Sequence, residues 1–191
     1  MSAANAPPPL PAAAGFVTVL GRISIVLAAL GVLWALAQML LVLLLPDALA
    51  VRAAAQPEVP AAVAWTLQHR NALALAMLAL ALLFLVVAWG LLKRREWGRR
   101  GFIALLLLGA AANFAALLLI DPFFDGLHGM FPAQMLDTPE GRQFIAQMRF
   151  NRNLTWASGL LGAVGIAALH GWIVWKLCTA AVRAEFGRNR A

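Results

Sequence analysis

Cysteine is nearly missing from this chain of 191 residues: Cys178 is the only one. A lone thiol excludes an intrachain disulfide, a CxxC redox relay and a cysteine-based zinc site. Charge is also scarce, at 12% of residues, where a soluble domain carries roughly 25%. Serine and threonine are few, and no Ser/His/Asp or Cys/His constellation points to a hydrolase. A glycine-rich phosphate cradle is absent as well. The long apolar runs contain no Asp or Glu, so the buried carboxylate that proton-for-cation exchange depends on is lacking.

What is present is hydrocarbon-like sequence. Of the residues, 63% are hydrophobic, and the mean hydropathy is +0.82. Ala72 to Leu92 is 21 residues without a charge, and Phe102 to Ile120 is 19 more. Such segments, at about 1.5 Å per residue, are long enough to cross about 30 Å of hydrocarbon. Two further runs, about 23–45 and 154–175, predict four spans in an all-α integral membrane four-helix bundle. The first run is too long for a signal-peptide core and has one preceding cation, Arg22, so it is expected to stay as a span. Residues 1–15, rich in Ala and Pro and free of charge, predict a disordered tail. Residues 16–186 form the four-span domain, and 187–191 a basic tail.

Between spans two and three lies Lys93-Arg94-Arg95-Glu96-Trp97-Gly98-Arg99-Arg100. Its five cations mark a cytoplasmic loop and place both termini in the cytoplasm. The nine residues from Lys93 to Gly101 force the two spans into an antiparallel hairpin. Net charge is +7, but the cations sit where topology puts them and no aromatic-interleaved groove accompanies them. Nucleic acid is therefore not an expected partner. Lys93, Arg94, Arg95, Arg99 and Arg100 are instead expected to contact anionic lipid headgroups. This pattern of two spans around an Arg-rich, Trp-containing turn resembles many small, uncharacterised four-span inner-membrane proteins of bacteria. The likeness covers the hydropathy profile and this loop, and it implies a multi-pass protein of the bacterial inner membrane without implying an activity. Disulfide-generating quinone reductases, tetraspanins and claudins are set aside by the missing outer-loop cysteines, and small multidrug exporters by the missing carboxylate.

Polar side chains in hydrocarbon ask for a reason. Gln38, Asn113 and His170 stand out. By helical rise, Gln38 lies about 6 Å and Asn113 about 3 Å outward of mid-span, while His170 lies about 8 Å toward the cytoplasm. Gln38 and Asn113 are thus expected to hydrogen-bond across a helix interface. His170 is read as a satisfied interhelical histidine rather than a proton relay or haem ligand, since no second buried His is in view. Trp34, mid-span, is expected to pack against neighbouring helices. Gly159, Ala163, Ala167 and Gly171 form a small-xxx-small ridge that faces an internal helix or a second protomer.

The outer segment, 121–153, is too apolar for a solvated loop. Thr138-Pro139-Glu140 predicts a helix start, followed by an amphipathic interfacial helix that groups Phe144, Ile145 and Met148. Asp121, Asp125 and His128 offer metal donors, but no fourth donor is evident, and Pro122 and Gly126 argue against a regular helix. They are read as a polar rim, with no metal or other cofactor expected. The leading expectation is a non-enzymatic accessory or assembly component, with a membrane-protein partner or homo-oligomer as its contact. The alternatives are a small-solute transporter or channel subunit using Gln38, Asn113 and His170, and a membrane-embedded lipid-modifying enzyme needing Asp121, Asp125 or His128.

Overall fold

A computed structural model describes residues 12–44, 46, 51–52, 59, 61–131, 135 and 137–187. Most of the expected tail (residues 1–11) and Arg188 and Arg190 of the basic tail lie outside the described residues. Among these residues run helices α1 (Ala12–Leu44), α2 (Ala61–Gln68), α3 (Arg70–Leu92), α4 (Glu96–Leu117), α5 (Ile120–Gly129), α6 (Pro139–Cys178) and α7 (Ala180–Gly187). Four stretches are long and apolar enough to cross a membrane: Gly15–Leu44, Arg70–Leu92, Glu96–Gly129 and Pro139–Cys178. Large apolar side chains stand exposed around all four, among them Leu33, Leu83, Leu108 and Leu161. Water would not tolerate that much open hydrocarbon on a monomer; lipid would. Among the described residues the fold is all-helical, with four helices of the length and apolarity of a multi-pass membrane protein.

Each helix boundary has a local cause. Alanine and leucine dominate the interiors, and both are strong helix formers. α1 is described as far as Leu44, and Pro46, which has no N–H to continue a helical ladder, follows two residues on. α3 ends where Arg94 takes a left-handed conformation, φ 54°. There Arg95 N–H donates to Gly90 O and Arg94 N–H to Leu91 O, the paired closing bonds of a Schellman turn. α6 begins at Thr138, whose Oγ1 accepts from Gly141 N–H at 3.0 Å, with Pro139 following as the first helical residue. α5 corrects an expectation: Ile120 to Gly129 is a regular helix despite Pro122 and Gly126. Pro122 falls in the first turn, where a backbone N–H has no helical partner to lose.

The long helices pack in series, α1 on α3, α3 on α4 and α4 on α6. The α1 seam runs Val17, Gly21, Ser24 and Ala28 at alternating steps of four and three, with Ala35 seven further on. That period suits a close left-handed crossing. Ala74 and Ala88 are buried on α3, whereas Ala72, Ala76 and Ala79, the more conspicuous stripe in the sequence, face outward. The core lies at one end, the end that holds the Lys93–Arg100 turn, the start of α1 and α7. Val17, Leu91, Phe102, Leu177 and Phe186 meet there.

Candidate functional site

The basic turn is a structural clamp as well as a charged surface. Arg99 is only 8% exposed. Its guanidinium donates to Leu177 O at 3.1 Å, where α6 ends with carbonyls that lack helical partners. The same group donates to both Glu96 carboxylate oxygens, at 3.0 and 2.7 Å, and lies over the Phe186 ring. Arg94 pairs with Glu185 of α7 and donates to Thr18 Oγ1 of α1 at 3.2 Å. These two arginines are committed to protein, which corrects their expected headgroup role. Burial next to a carboxylate and a carbonyl is the reason. Lys93, Arg95 and Arg100 remain at the surface. Lys93 sits over Trp89, and Arg100 shares Glu96.

Two glycines make the clamp possible. A Cβ on Gly98 would collide with the backbone of Gly90 and Leu91, and one on Gly90 would enter the Trp97 ring. α3 and α4 therefore cross nearly backbone to backbone. The sequence carried this signal only as two glycines eight positions apart, flanking the turn.

The expected Gln38–Asn113 pair is not formed. Gln38 is exposed, and Asn113 Nδ2 donates to Gly109 O, one turn back on its own helix, at 2.8 Å. The two side chains sit on helices that are not neighbours in the packing series, because α3 lies between α1 and α4. His170 Nδ1 donates to Leu106 O of α4 at 3.0 Å, a bond between helices that uses one of its two ring nitrogens. Its Cε1 would be 3.6 Å from a Cβ on Gly109, so the small residue makes room for the imidazole. Trp34 does not pack inward: it is 64% exposed and edges a cavity of about 400 Å³ whose walls come from α1, α3, α4 and α6. On the α6 ridge, Gly159 and Ala163 face α4, with Leu117 3.0 Å from a Cβ on Gly159. Ala167 is half-buried. Gly171 meets nothing within 4 Å, so the ridge serves internal packing and fades at that residue.

At the opposite end, α5 and the first third of α6 form a helical hairpin. Asp121 accepts from Arg152 Nε at 2.8 Å and from Trp156 Nε1 at 3.1 Å. Asp125 lies 3.9 Å from Arg152. The two acids thus hold an arginine, and among the described residues no cluster of three metal-ligating side chains exists. His128 lines a separate pocket of about 240 Å³ with Asp125, Arg149 and Arg152 over an apolar floor of Phe124 and Met148. Phe131 and Phe144 pack edge to face at 4.8 Å and tie the hairpin's tip. No protein-family model, no curated protein and no solved structure matches the chain.

Proposed function

We propose that this is a four-span bundle of the bacterial inner membrane, both termini cytoplasmic, acting as a non-enzymatic accessory or assembly component through the α5–α6 hairpin. The observation that carries the reading is the length of α6. Its 40 unbroken residues extend about 60 Å, twice the hydrocarbon thickness. If Leu154 to Trp175 fills the hydrocarbon, the first fifteen residues stand beyond it, about 22 Å tall. They are braced by the Asp121 contacts rather than lying loose on the surface. This rigid projection exposes Phe123, Met130, Met135 and Phe150. Apolar side chains held outside hydrocarbon on a fixed scaffold suit a protein partner. The polar side chains within the membrane-length helices support a structural role, since Asn113, Thr155, Ser158 and His170 all bond backbone carbonyls.

Orientation rests on charge. Arg22, Lys93, Arg94, Arg95, Arg99, Arg100, Lys176 and Arg183 gather toward one end, as the positive-inside rule requires of a cytoplasmic face. Reporter fusions after Arg95 should be cytoplasmic and those after Thr138 periplasmic; the reverse pattern overturns the orientation. For the docking role, native mass spectrometry of gently solubilised protein should show one partner at fixed stoichiometry. Met130→Ser with Met135→Ser should release it without changing thermal stability. Equal partner retention by that variant would remove the hairpin from the role.

A further inference from the structure

The cavity between the helices has features that the accessory role does not use. It is flanked by Trp34 on α1, Met77 and Phe84 on α3, Leu106 on α4 and His170 on α6. Its volume of about 400 Å³ lies within the range of small-molecule sites, which are mostly apolar with a few placed polar groups. Its depth can be counted along the helices from the closed end. Its lining includes Leu106, four residues from Phe102, and Ala35, eighteen from Val17, so the space spans about 6 to 27 Å from that end. That range is centred on the middle of a membrane about 30 Å thick. α1 and α6 are the two ends of the packing series, and near the closed end they touch through Phe16 and Trp172, 5.8 Å between centroids. Trp34 and Met77, which line the cavity, are also exposed on the outer surface of their helices, so the cavity opens toward lipid. Any occupant arrives by way of hydrocarbon and must be lipophilic.

His170 then sets the polar requirement. A carbonyl oxygen can only accept, so the nitrogen facing Leu106 O must carry the proton. In the neutral imidazole that is the Nδ1–H form, whose Nε2 keeps its lone pair. Among the described residues nothing donates to Nε2. Unpaired acceptors in an apolar setting favour any ligand that brings a donor. Trp34 and Phe84 add flat aromatic walls, and Met77 an adaptable one.

We infer that this cavity binds a lipophilic ring-bearing molecule with a hydroxyl, a phenol or hydroquinone type, whose O–H donates to His170 Nε2. An ether or carbonyl analogue of the same shape lacks the donor and binds more weakly. The inference is independent of the hairpin's role, since it concerns another part of the molecule.

The test uses full-length protein in nanodiscs with ¹⁵N-labelled histidine, titrated with 4-octylphenol and with its methyl ether. The His170 signals should show the Nδ1–H form before addition, and the phenol should shift Nε2. One hydrogen bond predicts a preference of about tenfold for the phenol over the ether. His170→Phe should abolish the preference. Gly31→Leu provides a control that leaves His170 untouched: a Cβ at Gly31 meets nothing within 4 Å, so leucine fills cavity space and should block both probes. Equal affinity of phenol and ether for the unaltered protein overturns the inference. So does an Nε2–H imidazole, or phenol binding that survives Gly31→Leu.

Discussion

Replacing Arg94 with glycine sets two opposing effects against each other at the closed end of the molecule. Arg94 occupies a left-handed position, φ 54°, where glycine is the usual residue. Holding an L-residue there costs about 1–2 kcal/mol, which glycine would recover. The substitution also strips Glu185 of its partner. The Glu185 side chain is 6% exposed, and breaking a fully buried pair costs about 3–5 kcal/mol. Arg94 is itself 27% exposed, so water reaches that side, and the lower end, about 3 kcal/mol, is the better figure. The net is a loss of about 1–2 kcal/mol, or roughly 2–8 °C in midpoint for a chain of this size. Arg94→Met keeps the strained backbone and loses the charge, so it should be less stable than Arg94→Gly by about 1–2 kcal/mol. Thermal unfolding in detergent, followed by tryptophan emission, gives the ranking: unaltered protein, then glycine, then methionine. In an Arg94→Gly, Glu185→Gln double variant much of the loss should return. If Arg94→Gly proves more stable than the unaltered protein, the ion pair is not what keeps arginine in the turn.

Three further outcomes are expected. Gly98→Ala should push α3 from α4 and cost about 1–3 kcal/mol by overpacking, since its new methyl lands on the backbone of Gly90 and Leu91; thermal unfolding reads it, and an unchanged midpoint contradicts the close crossing. Asp121→Ala removes an ion pair whose side chains are both 43% exposed, so global stability should fall by no more than about 1 kcal/mol. The emission of Trp156, isolated by difference against Trp156→Phe, should nevertheless shift as its indole N–H loses its acceptor. Thr138→Ala should cost about 1 kcal/mol at the start of α6, seen as faster hydrogen exchange at the Gly141 amide and unchanged exchange near Ala163.

The legible and illegible parts of the fold divide by what one-dimensional pattern can carry. Run length located the membrane helices, because hydrocarbon thickness is a length and α-helical rise is constant. The start of α6 was legible in Thr138-Pro139, since a cap is a local arrangement of adjacent residues. Direction around a helix was harder. Helical rise alone puts Gln38 and Asn113 at similar depths, yet whether they meet depends on which helices are neighbours, and the series α1, α3, α4, α6 keeps theirs apart. The α1–α3 seam was hidden for a compositional reason. In helices where most residues are Ala or Leu, Ala74 and Ala88 differ little from Ala72 or Ala76 until packing selects one face. Arg94 and Arg99 look like the other cations of the turn, and only Glu185 and Leu177, brought close by tertiary structure, distinguish them.

The polar bonds of the membrane-length helices have a common logic that connects the clamp to the cavity. Within the apolar stretch, Asn113 and His170 both donate to carbonyls of α4, Gly109 and Leu106. A carbonyl has two lone pairs, so each of these oxygens takes an extra donor without giving up its helical bond. α6 is attached to α4 by that donor and by the close approach at Gly159 and Ala163. α1 is attached to α3 by its small-residue seam. The molecule is therefore two helix pairs joined where α3 meets α4, and the cavity lies between the pairs. Gly90 and Gly98 permit the close approach of α3 and α4, and Arg94, Glu185 and Thr18 tie the closed end. A methyl at Gly98 acts where α3 and α4 approach most closely, about seven residues or 10 Å along α4 from Leu105 in the cavity wall. Its effect should reach the cavity through rigid helices, in a way that a surface change at Asp121 cannot.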